Sequence, residues 1–167
     1  MDFIEIVKKR YSVRAYKSTP VEEDKLNKIL EAARLAPTGA NRQAFQLIIV
    51  HTAGREEELQ PIYGKEWFVQ APIIICACAV TEPDQPYSEA GHYRNIGIVM
   101  DHVILAATDL GLGTCWIGAY DAEAARKILG IQENAHPVVL ATVGYADDQP
   151  KERVRKPIEE LVRYERW

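Results

Sequence analysis

Apolar positions along this chain fall into two patterns, helical spacing and short unbroken aliphatic runs, and together these predict its elements. A short amphipathic helix from Phe3 to Lys9 puts Phe3, Ile6 and Val7 on one face. Thr19 reads as an N-cap, with Pro20 at the first helical position and Glu22 completing a capping box, ahead of Leu26, Ile29, Leu30 and Ala33 at helical spacing. That helix should stop near Ala36, before Pro37. Phe45 to Val50, and the run opened by Ala71-Pro72-Ile73, are aliphatic and β-branched and predict two central strands. Between them, Glu56 to Leu59 and Lys65 to Phe68 read as short, partly exposed helices. Thr81 to Ser88 reads as a loop, and the aromatics of this middle region could roof a pocket.

Glu89 to Leu112 is long enough for about six helical turns, and Ile96, Val99, Met100, Val103, Ile104, Ala107 and Leu110 leave it little polar surface. Such a helix needs cover on most sides, either at the centre of its own core or in a dimer interface. Gly111-Leu112-Gly113 reads as its C-cap, Thr114 to Ala119 as a short strand or turn, and Asp121 as the cap of a helix through Leu129 that ends at Gly130. Pro137 to Tyr145 predicts another buried strand, and Pro157 opens a last helical turn after a polar, basic stretch. No G-x-G-x-x-G follows a strand, so a dinucleotide-binding parallel sheet fits poorly. The order of elements better fits an α+β fold, a hydrophobic mixed sheet packed between helices.

Composition narrows the function more than the fold. The 167 residues are 47% hydrophobic, enough for one globular domain spanning 1–167. The formal net charge of −4 lacks the basic bias of a nucleic-acid partner, so a local positive patch points to a small anion. No long apolar run or leader-like pattern opens the chain, and a soluble, cytoplasmic protein is expected. Cys76 and Cys78 lie inside an apolar run, which favours reduced, buried thiols over a disulfide or a metal site.

Two loop-like segments carry the chemistry. Arg10-Tyr11-Ser12-Val13-Arg14 sets a hydroxyl between two guanidiniums, a combination able to grip a phosphate. Pro37-Thr38-Gly39-Ala40-Asn41-Arg42-Gln43 is a turn whose amide side chains offer donors and acceptors to a planar heterocycle. Together they suggest a nucleotide-like cofactor, although an arginine cluster can equally be a solvated face and Pro-Thr-Gly-Ala-Asn a plain helix-terminating turn.

Arg10-x-Ser12-x-Arg14 resembles the R-x-S-x-R/K signature of FMN-dependent nitroreductases. Pro37 to Gln43 looks like the P-S/T-x-x-N-x-Q loop of that family, Leu110 to Gly118 like its helix-to-strand segment, and Arg153-Val154-Arg155-Lys156-Pro157 like its terminal basic element. The matches keep the family's order and cover essentially the whole chain. The resemblance implies an intertwined α+β homodimer, its mixed central sheet largely antiparallel and flanked by helices, with FMN at the subunit interface held by residues of both chains. It assigns Arg10 and Ser12, with Arg153 and Arg155, to the phosphate and ribityl end, and counts Tyr11 among the cofactor-binding residues. Arg14 falls beside the pyrimidine edge of the ring, where a cation stabilises charge arriving on reduction. Pro37, Thr38, Gly39, Asn41 and Gln43 would come from the partner subunit. Trp116, Ile117, Gly118 and Ala119 would run along one flavin face, with a backbone N–H toward N5. Many relatives carry Glu where this chain has Gly118.

The cofactor is the reactive group in such chemistry, so no side chain is assigned as catalytic and no metal is expected. His51, His92, His102 and His136 are scattered, with Asp101 and His102 on the long helix. Tyr63, Trp67, Phe68 and Tyr120 either line the substrate pocket or are satellite core contacts. The expected activity is FMN-dependent NAD(P)H oxidoreduction, reducing nitroaromatics, quinones or other flat acceptors by a ping-pong cycle. The alternatives are a reductive dehalogenase, a flavin-degrading relative, or a non-catalytic flavin-binding dimer.

Overall fold

In the computed structural model, which describes residues 2–81 and 89–167, the helices are α1 (Phe3–Lys9), α2 (Glu23–Leu35), α3 (Glu56–Leu59), α4 (Glu66–Gln70), α5 (Glu89–Asp109), α6 (Ala122–Ile128) and α7 (Ile158–Leu161). The strands are β1 (Phe45–His51), β2 (Ile73–Val80), β3 (Gly113–Ile117) and β4 (Ala135–Gly144). They form one sheet in the order β1-β2-β4-β3, and every pair of these strands is antiparallel. A parallel bridge from Ser12 to Thr114 extends the sheet past β3. The α+β class expected from the element order is the one observed. Residues 82–88, most of the loop expected after the second strand, lie outside the described residues.

β2 organises the interior because its side chains alternate between two faces and both are covered. Ile73, Ile75, Ala77 and Ala79 join Ile29 and Ala33 of α2 and Val99, Met100 and Val103 of α5 in one core. Ile74, Cys76 and Cys78 face a second core with Leu59, Phe68, Cys115, Ile117 and Ala125. The sheet is thus sandwiched between α2/α5 and the short helices α3, α4 and α6. All three cysteines are buried thiols. β4 tolerates Pro137, which has no amide hydrogen to donate, because the β2–β4 register shifts there by one residue, from Ala77 opposite Val139 to Cys78 opposite Pro137.

Local signals set several element ends. Asp2 Oδ1 accepts from Ile4 N at 3.0 Å to cap α1, and Asp121 Oδ1 accepts from Ala124 N at 2.8 Å to cap α6. α5 ends in a Schellman turn: Gly111 has φ +79°, its N–H donates to Thr108 O at 3.1 Å, and Leu112 N–H donates to Ala107 O at 2.8 Å. That turn delivers the chain directly into β3.

Two expectations are corrected. α2 begins at Glu23, with Glu22 as an N-cap that makes no side-chain capping bond, so the box built on Thr19 does not form. The Glu22 carboxylate is instead taken by the Tyr145 hydroxyl, which lies 2.8 and 2.7 Å from its two oxygens. β1, expected to be central, is an edge strand and only partly buried. Its aliphatic content reflects cover on its faces rather than a neighbour on each side.

The segment Arg10–Tyr16 lies along the outer edge of β3. Val13 N–H donates to Thr114 O at 2.9 Å, and Val13 is 1% exposed. This approach requires glycine at 113, because a Cβ there would sit 2.5 Å from Val13 Cγ2. Gly113→Ala is therefore expected to lower the unfolding free energy by about 1–3 kcal/mol through overpacking, measured by urea denaturation. Gly64→Ala, whose Cβ meets nothing within 4 Å, serves as the control, with a change within about 0.5 kcal/mol.

Candidate functional site

Segment 10–17 reaches the sheet by pairing with the chain that leaves β4. Lys17 N–H donates to Tyr145 O at 2.9 Å, Asp147 N–H donates to Ala15 O at 2.9 Å, and Tyr16 bridges Ala146 in antiparallel fashion. Beneath this pairing, Tyr16 is buried with Val13 and Ala71, and Tyr11, Trp67 and Ala146 pack against them. The Tyr16 hydroxyl donates to Val13 O at 3.1 Å and lies 2.6 Å from Thr142 Oγ1, so it ties the segment to the sheet floor. Burial pushes its phenol above the ordinary range. The two ends of the polypeptide thus meet beside β3.

At that meeting point a cavity of about 490 Å³ is lined by Arg10, Tyr11, Ser12, Arg14, Asp148, Gln149, Lys151, Arg153 and Arg155. Arg10, Tyr11, Ser12, Arg14, Arg153 and Arg155, singled out in the sequence, are brought together by the fold. Asp148, Gln149 and Lys151 were not singled out. Only Lys151 carried a usable signal, as the first cation of the basic tail. Burial lowers the Arg10 pKa, and the charges of Arg153 and Arg155 lower it further. Among the described residues, none of Arg10, Arg14, Arg153 and Arg155 forms an ion pair with a carboxylate. Asp148, the one carboxylate on the wall, accepts from Arg14 N–H at 2.7 Å and from the Tyr11 hydroxyl at 3.1 Å. The Arg153 guanidinium donates to the carbonyls of Lys8 and Arg10, fastening the tail to the end of α1. Cations held together without counter-ions make a site for an anion.

β3 continues the site. Thr114 directs its backbone toward segment 10–14, and alternation turns Trp116 to the same unpaired edge, with Gly118 next in that parity just past the strand. The Trp116 side chain is 41% exposed, Ile117 is buried in the second core, and Gly118 and Ala119 are exposed.

The second motif lies apart from this cavity, and none of its residues lines it. Pro37 and Thr38 lead from α2 into a 3-10 turn over Gly39–Asn41. Ala40, Asn41 and Gln43 hold φ of 51°, 54° and 54°, a left-handed conformation that non-glycine residues adopt at a cost. Thr38 Oγ1 accepts from Gln43 N–H at 3.0 Å, the Gln43 amide donates to Asn41 O at 2.9 Å, and Asn95 Oδ1 of α5 accepts from Gly39 N–H at 3.1 Å. The turn is exposed yet firmly set, and Asn95, its anchor, had no signature in the sequence.

None of Tyr63, Trp67, Phe68 and Tyr120 lines the basic cavity. Tyr63 meets Trp67 and Phe68 edge-on at centroid distances of 5.5 and 5.6 Å, and all four pack on the second core or belong to it. Phe68 is fully buried in that core, while Tyr63, Trp67 and Tyr120 are partly buried against it. A larger groove of about 850 Å³, bordered by Tyr16, Lys17, His51, Glu56, Pro72 and Asp147, holds none of the motif residues.

Residues 2–167 match a family model described as "Putative TM nitroreductase". The chain belongs to the nitroreductase family. A crystal structure of a nitroreductase family protein from Clostridium difficile 630 is 32% identical, each chain is covered in full, and the TM-score is 0.87. Another, from Clostridium novyi NT, is 31% identical over 92% of this chain and 89% of that one, with a TM-score of 0.80. A protein of Methanothermobacter thermautotrophicus named "Putative NADH dehydrogenase/NAD(P)H nitroreductase" is 28% identical over 92% of this chain and 82% of its own. Among the described residues, no helix is long and apolar enough to cross a membrane.

The buried Tyr16 hydroxyl can be tested directly. Tyr16→Phe is expected to cost about 1–3 kcal/mol by leaving Thr142 Oγ1 without that partner. A phenol with a raised folded-state pKa contributes fully below about pH 10 and loses that contribution as pH rises. The penalty of Tyr16→Phe should therefore shrink above pH 10, as read from urea midpoints of both proteins across pH.

Proposed function

We propose that this chain is an FMN-dependent NAD(P)H oxidoreductase of the cytoplasm that reduces nitroaromatics, quinones or related flat acceptors as a homodimer. The observation that carries the reading is the cavity at the outer edge of β3, where four arginines and Lys151 gather around one carboxylate already engaged by an amide and a phenol. Such a donor set fits a dianionic phosphate. Arg10, Ser12 and Arg155 would hold that phosphate, with Arg153 bracing the tail. Arg14 would set a fixed positive charge near the pyrimidine edge of the ring, and the Trp116 to Ala119 edge would offer backbone donors along its face. Bound FMN supplies hydride transfer at N5, and the protein supplies position and charge.

The homodimer rests on apolar surface that a single chain leaves open. Phe3 and Ile4 of α1 are 62% and 55% exposed, and Ile158, Tyr164 and Trp167 of the tail are more so. Exposed apolar side chains of this size are what a partner subunit would cover. In the dimer, the preset turn of Pro37, Thr38, Gly39, Asn41 and Gln43 would approach the ring from the other subunit.

Purified protein is expected to be yellow and to bleach anaerobically with NADH or NADPH. Protein that takes up FMN and stays oxidised with both donors would leave a flavin binder without this activity. Arg10→Met gives a sharper test, with opposite effects on folding and on binding. The ligand-free variant should unfold no earlier than wild type, because a crowded cation is gone. Its affinity for FMN should drop about tenfold or more, the value of one charge-assisted hydrogen bond, while riboflavin affinity holds, both read by flavin fluorescence.

A further inference from the structure

The basic cavity contains a feature that works against its apparent purpose, since a carboxylate, Asp148, sits on the wall of a site built to hold an anion. Simple electrostatics gives this residue a repulsive role. Its bonding says otherwise. Asp148 Oδ2 accepts from the Arg14 backbone N–H at 2.7 Å, and the single hydrogen of the Tyr11 hydroxyl is shared between Asp148 Oδ1 at 3.1 Å and Asp148 O at 3.0 Å. The carboxylate therefore spends its acceptors on the backbone and phenol of segment 10–14 and makes no ion pair with the guanidiniums beside it. Those two contacts span 134 and 137 positions of sequence. They hold the segment carrying Arg10, Ser12 and Arg14 against the segment carrying Lys151, Arg153 and Arg155.

We propose that Asp148 is the positioning residue of the anion cradle, so that removing its negative charge weakens the grip on a phosphate-bearing ligand instead of strengthening it. The inference rests on the cradle described above, and the sign of the effect separates it from the electrostatic alternative. A carboxylate acting through charge alone would, once neutralised, let the remaining cations bind anions more tightly. A carboxylate acting through its two directed hydrogen bonds leaves Arg14 N–H without a partner when it is lost and Tyr11 with only the Asp148 backbone carbonyl, and the arginines splay.

The test uses the full-length protein as Asp148→Ala, Asp148→Asn and Tyr11→Phe. FMN is titrated by fluorescence, and inorganic phosphate by the shift it causes in the thermal midpoint. Asp148→Ala should raise the dissociation constant for both about tenfold. Asp148→Asn, which keeps one carbonyl acceptor for Arg14 N–H, should recover part of the loss. Tyr11→Phe, which removes the phenol and keeps the charge, should weaken binding a few-fold, and it carries the test if Asp148→Ala does not fold. Amide exchange at Arg14 in ligand-free protein should quicken in Asp148→Ala and stay slow in Asp148→Asn. Binding as tight as wild type, or tighter, in the Asp148 variants overturns the proposal, as does unchanged binding in Tyr11→Phe. Wild-type protein that takes phosphate but not FMN ends the flavin reading alone, and the phosphate titrations then decide the role of Asp148.

Discussion

The architecture around the site depends on one close approach, the seating of Val13 on the bare backbone of Gly113. Cations that crowd one another without counter-ions repel, and the Arg10 guanidinium is already partly stripped of water. Something else must hold the segment in place. Here it is a buried apolar contact, Val13 with Tyr16 and Ala71, reinforced by backbone hydrogen bonds to Thr114, Tyr145 and Asp147. Packing beneath the segment sustains a charge arrangement above it that would disperse on its own.

The rung Gly113·Gly144 shows how narrowly this is built. The two glycines stand opposite each other across β3 and β4, and a Cβ on Gly144 would lie 2.5 Å from Pro72 Cδ. The same rung therefore admits Val13 at one end and the entry to β2 at the other. The Schellman turn after α5 places β3 at that rung, so the longest helix, the edge strand and the basic cavity are linked through consecutive residues.

Much of this was legible in the sequence, for local reasons. α1 and α6 carry their own caps, and β2 is apolar throughout because both of its faces are covered. The arginines of residues 10–14 and 153–155 were visible as charge set in short basic segments. What was not legible depends on distant partners. The start of α2 shifts because Glu22 answers to Tyr145, 123 residues away, and no local window contains that bond. β1 reads as central because hydrophobicity reports cover above and below a strand, not a neighbour beside it. Asp148 and Asn95 act on backbone amides 134 and 56 positions distant, and neither stands in a recognisable motif.

The division of labour along the chain has a further consequence. Beyond residue 148 the described tail is solvent-facing apart from half-buried Val162, and no residue after Ala146 belongs to or packs on the hydrophobic clusters. Yet this stretch supplies Lys151, Arg153 and Arg155. A protease that nicks the polypeptide near Gln149 would leave both cores intact and remove most of the positive charge opposite Arg10. Weakened ligand capture and loss of the hydrophobic cores are thus separate failures in this molecule, and a preparation shortened at its carboxyl end would keep its packed interior while losing most of its hold on an anion.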